Sequence, residues 1–220
     1  MGKLIVLEGT DGSGKATQCA ALAEALDQEG IDCKKIEFPR YGEESSALIR
    51  MYLRGAFGNN PSDVNAWAAS TFYAVDRYAS YKQDWGVYYE RGGVILADRY
   101  TTSNAVHQGS KLASEARREY FHWLFDFEYR LMGLPRPDLV LYLDVPVDLT
   151  AENMHRRELQ TNAAADIHEK DSDYLRCCRQ AASEAAELFG WKRIPCAENG
   201  NMRAIADIHQ DVLRAVKEIL

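Results

Sequence analysis

The run Lys3-Leu4-Ile5-Val6-Leu7-Glu8-Gly9-Thr10-Asp11-Gly12-Ser13-Gly14-Lys15-Ala16-Thr17 constrains the fold more than any other part of the chain. A short apolar strand enters a glycine-rich turn, and a helical stripe of Cys19, Leu22, Ala23 and Leu26 follows at once. Gly9, Gly14 and Lys15 fit G-x-x-x-x-G-K-[ST], with Ala16 where Ser or Thr is expected. The spacing has a physical reason. Glycines let successive backbone N–H groups curl around a phosphate, the next helix presents its positive N-terminus, and the lysine reaches the outer phosphates. The bare pattern is weak, but the strand before it and the helix after it mark a phosphate-binding P-loop.

Five apolar strand candidates, Leu4–Glu8, Cys33–Phe38, Val94–Asp98, Leu139–Asp144 and Trp191–Cys196, alternate with helical patterns. The longest of these fill Ser62–Arg91, Ser114–Met132, Asp171–Phe189 and Met202–Leu220. The alternation predicts an α/β fold of three layers, a five-stranded parallel sheet flanked by helices. The last helix carries Ile205, Ile208, Val212, Val216 and Ile219 on one side, which reads as core. The five cysteines include no C-x-x-C pair, and Cys177 and Cys178 sit on a helical stripe with Tyr174, Ala181, Ala182, Ala185 and Phe189. Packing accounts for them better than metal or redox chemistry, and a reducing, cytoplasmic compartment is expected. At 220 residues the chain fits a single domain, 1–220. A net charge of −7 argues against a nucleic-acid partner, although a local basic cleft for a phosphorylated ligand is allowed. With no signal-like segment and no apolar run of membrane-spanning length, no membrane partner is expected.

In open parallel sheets, functional residues gather at the carboxyl ends of the strands. Here the first strand ends in the P-loop, the second in Phe38-Pro39-Arg40-Tyr41 and the third in Asp98-Arg99-Tyr100. The fourth ends in Asp144, ahead of a polar, arginine-bearing stretch. Phosphoryl transfer needs substrates held in line and negative charge neutralised, and Lys15, Arg40 and Arg99 are the candidates for that task. Arginine suits it because its planar fork binds phosphate oxygens in pairs. Asp98 is a candidate to hold magnesium through water. Asp11, inside the loop, needs a substrate hydroxyl, a cation or an arginine as partner. Phe38, Tyr41, Phe72 and Tyr73 offer faces for a base, or belong to packed core. Arg77 lies four residues beyond Tyr73, so it either hydrogen-bonds a base carbonyl or forms a surface ion pair.

Taken together, Leu7-Glu8-Gly9-Thr10-Asp11-Gly12-Ser13-Gly14-Lys15, Phe38-Pro39-Arg40-Tyr41, Phe72-Tyr73-Ala74-Val75-Asp76-Arg77 and Asp98-Arg99-Tyr100-Thr101-Thr102-Ser103-Asn104 resemble the thymidylate kinases. Order and spacing agree from the N-terminus to about residue 175. The resemblance implies the P-loop nucleoside monophosphate kinase fold, with a small mobile lid at about 152–170. It also implies a homodimer that transfers the γ-phosphoryl group of ATP to thymidine monophosphate, with Mg2+ as cofactor. By the resemblance, Gly9, Thr10, Asp11, Gly12, Ser13, Gly14, Lys15, Ala16 and Thr17 bind ATP, and Lys15 holds the donor phosphates. Asp11 contacts the 3′-hydroxyl side of the acceptor sugar. Phe38, Arg40 and Tyr41 line the acceptor site, Tyr73 stacks on thymine, Arg77 reaches a thymine carbonyl, and Ser103 and Asn104 lie at the base. Arg99 bridges the acceptor phosphate and the transferring group, and Asp98 helps to place magnesium. Asp166 and Glu169 match the acidic pair that follows the lid.

The match departs from the family pattern in three places. Ala16 lacks the hydroxyl that usually ligates magnesium in a P-loop. Thr17 points about 100° away around the helix, which makes it an imperfect substitute. His107 stands where the family often has an aromatic near the deoxyribose. Gly12-Ser13 supplies no arginine to the loop, which moves the catalytic arginines to the lid, where Arg156 and Arg157 precede the plain run Thr161-Asn162-Ala163-Ala164-Ala165. Two other readings stay open: a kinase for a different (deoxy)nucleoside monophosphate, and a nucleotide-binding regulatory protein without turnover.

Overall fold

Leu4, Ile5, Val6 and Leu7 are all fully buried, which follows from the place of β1 (Lys3–Glu8) at the centre of the sheet. Successive side chains of a strand point to opposite faces, so a strand covered on both sides reads as an unbroken apolar run. The computed structural model describes residues 1–58, 60–150, 153 and 172–220. Its main sheet runs β2 (Cys33–Glu37), β3 (Val94–Asp98), β1, β4 (Leu139–Asp144), β5 (Lys192–Pro195), and every pairing in it is parallel. This is the α/β, five-stranded, helix-flanked architecture that the alternation predicts.

The two faces of β1 begin two cores. Ile5 and Leu7 join Leu96, Leu141 and Leu143, and α1 (Lys15–Gln28) covers them with Cys19, Leu22 and Leu26. The C-terminal helix, α8 (Ile205–Lys217), completes that layer with Ile208, Val212 and Val216. Leu4 and Val6 face the opposite core, with Ile95, Ala97 and Tyr142 from the sheet. Above them pack α3 (Ala66–Ser80), α5 (Thr101–His107), α6 (Ser114–Phe125) and α7 (Ser172–Phe189). Cys178, Ala181, Ala182 and Ala185 are buried on α7, as the stripe predicts, and all five cysteines are free. Each large side chain so buried contributes roughly 1.5–3 kcal/mol.

Three local expectations change. Ile205 is 62 % exposed and is not core; it opens α8, where only its carbonyl is used, accepting from Gln18 Nε2 at 3.0 Å. Met202 lies outside that helix, in a two-residue hairpin that pairs Ala197–Glu198 with Asn201–Met202. The helical patterns of Ser62–Arg91 and Ser114–Met132 each contain a π-helical turn, Tyr81–Trp85 and Asp126–Leu131. Such wide turns insert into α-helices mostly as single features and concentrate at functional sites.

The register aligns the chemistry. Leu7 pairs with Asp98 and Asp98 with Glu37, so β1, β3 and β2 end at one level. From β1 the chain proceeds to β2 and β3 on one side and to β4 and β5 on the other. The crevice at this reversal is where open α/β sheets bind ligands.

Candidate active site

β1 delivers the chain into the P-loop. Gly14 takes φ +89° at the N-cap of α1, a left-handed conformation that favours glycine. A Cβ on Gly9 would stand 2.5 Å from Ser13 Oγ, so the loop closes this tightly only without a side chain there. Lys15 is buried and folds back into the loop, donating to the Gly9 and Thr10 carbonyls at 2.9 Å each. Burial, reinforced by the nearby Arg99 charge, lowers its pKa to about 8. Asn153 Nδ2 donates to the Gly12 carbonyl at 3.0 Å, a contact to the loop that no motif announces.

Behind the loop lies Glu8, fully buried. Its carboxylate accepts from the Gly9 N–H, Thr102 Oγ1 and Ser103 Oγ at 2.6–3.0 Å. Arg99 approaches it at 3.8 Å and donates to Asp11 Oδ1 at 2.5 Å, which gives Asp11 the arginine partner its position calls for. Burial lowers the Arg99 pKa, and Asp11 and Glu8 more than reverse this, so the guanidinium stays charged. Nη1 of Arg99 also meets Ser103 Oγ at 3.3 Å and His107 Nε2 at 3.0 Å. A guanidinium only donates, so the imidazole nitrogen accepts. Arg99 holds this position with φ +67°, backbone strain of about 1–3 kcal/mol for a non-glycine residue, of the kind that collects at functional sites.

A cavity of about 380 Å3 opens beside this network. Asp11, Asp98, Arg99, Ser103, Asn104 and His107 line it, together with Phe38, Tyr41, Tyr73 and Arg77. The turn after β2 contains a cis Phe38–Pro39 peptide. Arg77 is not a surface arginine: it is almost fully buried and held by Glu128 from the π turn at 126–131, at 2.7 and 2.5 Å. Asn104 Nδ2 is directed at the Ser70 carbonyl and Glu128, at 3.3 and 3.4 Å.

Some expected residues stand elsewhere. Arg40 is absent from the cavity lining; its backbone N–H donates to Asp76 Oδ2 at 2.8 Å and its Nε lies 3.7 Å from Oδ1. Phe72 packs on Tyr52 and Phe57 instead of facing the cavity. Asp144 is engaged by Arg179 and Arg193, at 3.0 and 3.2 Å. Arg156, Arg157, Asp166 and Glu169 lie outside the described residues. Reasoning from sequence misses the buried carboxylates Glu8, Asp76 and Glu128. For Glu8 the signal is an acidic residue inside an apolar strand; Glu128 lies in a helical pattern that conceals it.

A second recess, of about 320 Å3, lies over the start of α1 and is lined by Ala16, Cys19, Lys35, Ile36, Glu37 and Asp98. Its carboxylate oxygens suit a hard cation such as magnesium. Among the described residues no group of three or more His, Cys, Asp or Glu side chains forms a complete metal cage. A cation here would therefore draw its remaining oxygens from phosphates and water, as magnesium commonly does.

The family model for thymidylate kinase matches residues 7–208. A thymidylate kinase of Mycobacterium tuberculosis is 33% identical over 191 residues, 86% of this chain and 87% of that protein. A probable thymidylate kinase of Pyrococcus abyssi is 30% identical over 221 residues, spanning 100% of this chain and 98% of the other. The Homo sapiens thymidylate kinase is 27% identical over 215 residues, 96% of this chain and 88% of its own. Among solved structures, a thymidylate kinase from Candida albicans superposes with a TM-score of 0.73 at 20% identity, covering 99% of this chain and 92% of that one, a likeness of fold.

The Lys15 environment makes phosphate binding pH-dependent. Below pH 8 the ammonium is charged before and after a polyphosphate arrives. Above pH 8 the free loop loses its proton while a bound phosphate restores it, so binding takes up a proton and weakens. ADP affinity measured calorimetrically should fall from pH 8 to 9.5, by at most about tenfold per pH unit, and Lys15→Met should abolish that fall.

Proposed function

The chain belongs to the thymidylate kinase family, and on that premise we propose how its own side chains move the γ-phosphoryl group of ATP onto thymidine monophosphate. It is an ATP-dependent nucleoside monophosphate kinase whose products are thymidine diphosphate and ADP. The observation that carries the assignment of roles is the junction of P-loop and acceptor cavity at Arg99 and Asp11.

ATP lies along residues 9–17, with Lys15 leaving the Gly9 and Thr10 carbonyls for the outer phosphates. The acceptor enters the cavity with its base against Tyr73 and between Arg77 and Asn104, and its sugar toward Asp11 and His107. Ser103 holds the Arg99 fork, which spans the acceptor phosphate and the γ-phosphoryl group. An acceptor phosphate oxygen attacks the γ-phosphorus in line as the bond to ADP breaks, with no covalent enzyme intermediate. Arg40, whose chain neighbours Pro39 and Tyr41 line the cavity, would have to turn inward from the turn after β2 to steady the acceptor phosphate, its backbone braced by Asp76. Asp98 would hold Mg2+ through water beside Ala16. Magnesium, when bound, neutralises and orients the phosphates. We read 1–220 as a single nucleoside monophosphate kinase domain with its lid at about 152–170. In that lid Arg156 and Arg157 neutralise charge on the transferring group, and Asp166 and Glu169 complete the acceptor side.

Two features support a homodimer in the cytoplasm. Leu48, Met51, Val75 and Tyr78 are exposed apolar side chains on α2 (Ala47–Leu53) and α3, a surface suited to a second copy of the chain. All five cysteines are free, which accords with a reducing compartment. Among the described residues no helix is long and apolar enough to cross a membrane. The charge of −7 supports small phosphorylated partners over nucleic acid.

A coupled ADP-release assay with a panel of nucleoside monophosphates should give acceptor-dependent turnover with thymidine monophosphate preferred; ADP release without acceptor dependence would overturn the reading. In the same assay Arg156→Ala or Arg157→Ala should lower kcat by about tenfold or more with KM held, the mark of a transition-state contact. Ala16→Thr should lower the magnesium concentration needed for half-maximal rate, and an unchanged requirement would remove any role for the missing hydroxyl. Sedimentation should give a dimer, and Val75→Glu should shift it toward monomer if α3 forms the interface.

A further inference from the structure

Glu128 is fully buried, does not line the acceptor cavity, and accepts from both polar side chains of the base-binding wall, Arg77 and Asn104. It accepts from Arg77 Nε and Nη2, from Thr101 Oγ1 at 2.7 Å, and from Asn104 Nδ2 at 3.4 Å. These donors converge from α3 and α5 on a π turn, which presents Glu128 beneath both.

The consequence for the cavity wall follows from donor and acceptor counting. Arg77 directs Nε and Nη2 at Glu128 and Nη1 at the Tyr100 carbonyl, 3.4 Å away. Two of its five N–H bonds are left over, on a side chain that lines the cavity. Asn104 faces two partners that can only accept, Glu128 and the Ser70 carbonyl, so its amide nitrogen must point at them. The carboxamide oxygen is then the polar atom left for the cavity. The wall therefore offers a donor from Arg77 next to an acceptor from Asn104. A pyrimidine that carries a 4-carbonyl and an N3–H matches this pair. Cytosine, with a 4-amino group and a bare N3, opposes it at both positions.

Resting on the thymidine monophosphate reading above, we propose that Glu128 is a specificity-determining positioning residue: its carboxylate, with the Ser70 carbonyl, holds Arg77 and Asn104 in the donor–acceptor order that admits a thymine-type base and rejects cytosine. A buried ion pair of this kind is weak evidence for stability, because desolvating two charges offsets much of their attraction. Its better-attested use is to specify one arrangement among several.

Glu128→Gln tests the idea, since it keeps the shape and replaces one acceptor oxygen with a donor. Arg77 keeps the single remaining oxygen and loses its two-pronged hold, and the new N–H opposes the Asn104 amide donor, leaving Asn104 the Ser70 carbonyl alone. The donor and acceptor of the cavity wall are then no longer fixed relative to each other. We expect KM for thymidine monophosphate to rise tenfold or more and KM for ATP to stay within twofold. The ratio of kcat/KM between thymidine and deoxycytidine monophosphates should fall at least tenfold. A folded Glu128→Gln protein whose ratio is unchanged overturns the proposal, because loss of stability alone lowers both acceptors together.

Glu128→Asp supplies the conservative comparison. It retains an acceptor-only group one methylene short, so KM for thymidine monophosphate should rise while the preference over deoxycytidine monophosphate survives. If Glu128→Gln does not fold, Glu128→Asp decides, and a loss confined to kcat with KM unchanged counts against positioning. The unsubstituted enzyme separates the two levels. If it does not turn over thymidine monophosphate, the acceptor assignment fails; if it does and only the Glu128 variants behave otherwise, this inference fails alone.

Discussion

Burying a carboxylate at the end of the central strand is the constraint on which the site depends. Glu8 has no access to water, and an isolated charge there would be very costly, so donors must be brought to it. They come from the P-loop, through the Gly9 N–H, and from α5, through Thr102 and Ser103, with the Arg99 guanidinium beyond. Satisfying one buried group thereby ties the phosphate-binding loop to the helix that carries Ser103, Asn104 and His107 and to the turn before it, which carries Arg99. The left-handed Arg99 backbone is held by the same closure, its N–H donating to the Leu7 carbonyl at 3.1 Å.

The device recurs. Glu8, Asp76 and Glu128 are each buried, and each restrains one arginine: Arg99, Arg40 and Arg77 respectively. Guanidinium groups left to solvent would adopt many rotamers, and fixing them when a substrate arrives would cost conformational entropy at that moment. Held by carboxylates beforehand, they meet phosphate or base already oriented, which is how preorganised charge acts in phosphoryl transfer. The pairs also explain why so much buried charge is tolerated.

The sheet was legible because its signals are local and redundant. β1 announces itself by four apolar residues in succession, and the glycines and Lys15 after it fix what its end must bind. Arg99 and Asp11 were legible as chemistry, though their mutual contact depends on strand order, which no local pattern reveals. Buried polar residues were not legible. Glu128 looks like a solvated helix position until the π turn rotates it inward, and Arg77 looks like a surface cation until its partner is found. Ile205 failed for the opposite reason: helical spacing counted it as core, but the first residue of α8 lies beyond the edge of the layer beneath. Periodicity reports faces of elements, and neither their ends nor the turns that break the period.

The same accounting of charge explains how the loop remains intact before a phosphate arrives. Lys15 is buried beside the cationic Arg99, and the carboxylates of Asp11, Asp98 and Glu8 offset the loss of water only in part. Turning back onto the Gly9 and Thr10 carbonyls gives it two acceptors, and the lowered pKa records that they do not fully replace water. Phosphate oxygens would provide what those carbonyls lack, namely negative charge. The loop is thus least comfortable in the state the kinase must leave, and binding relieves an electrostatic cost that folding imposed on Lys15.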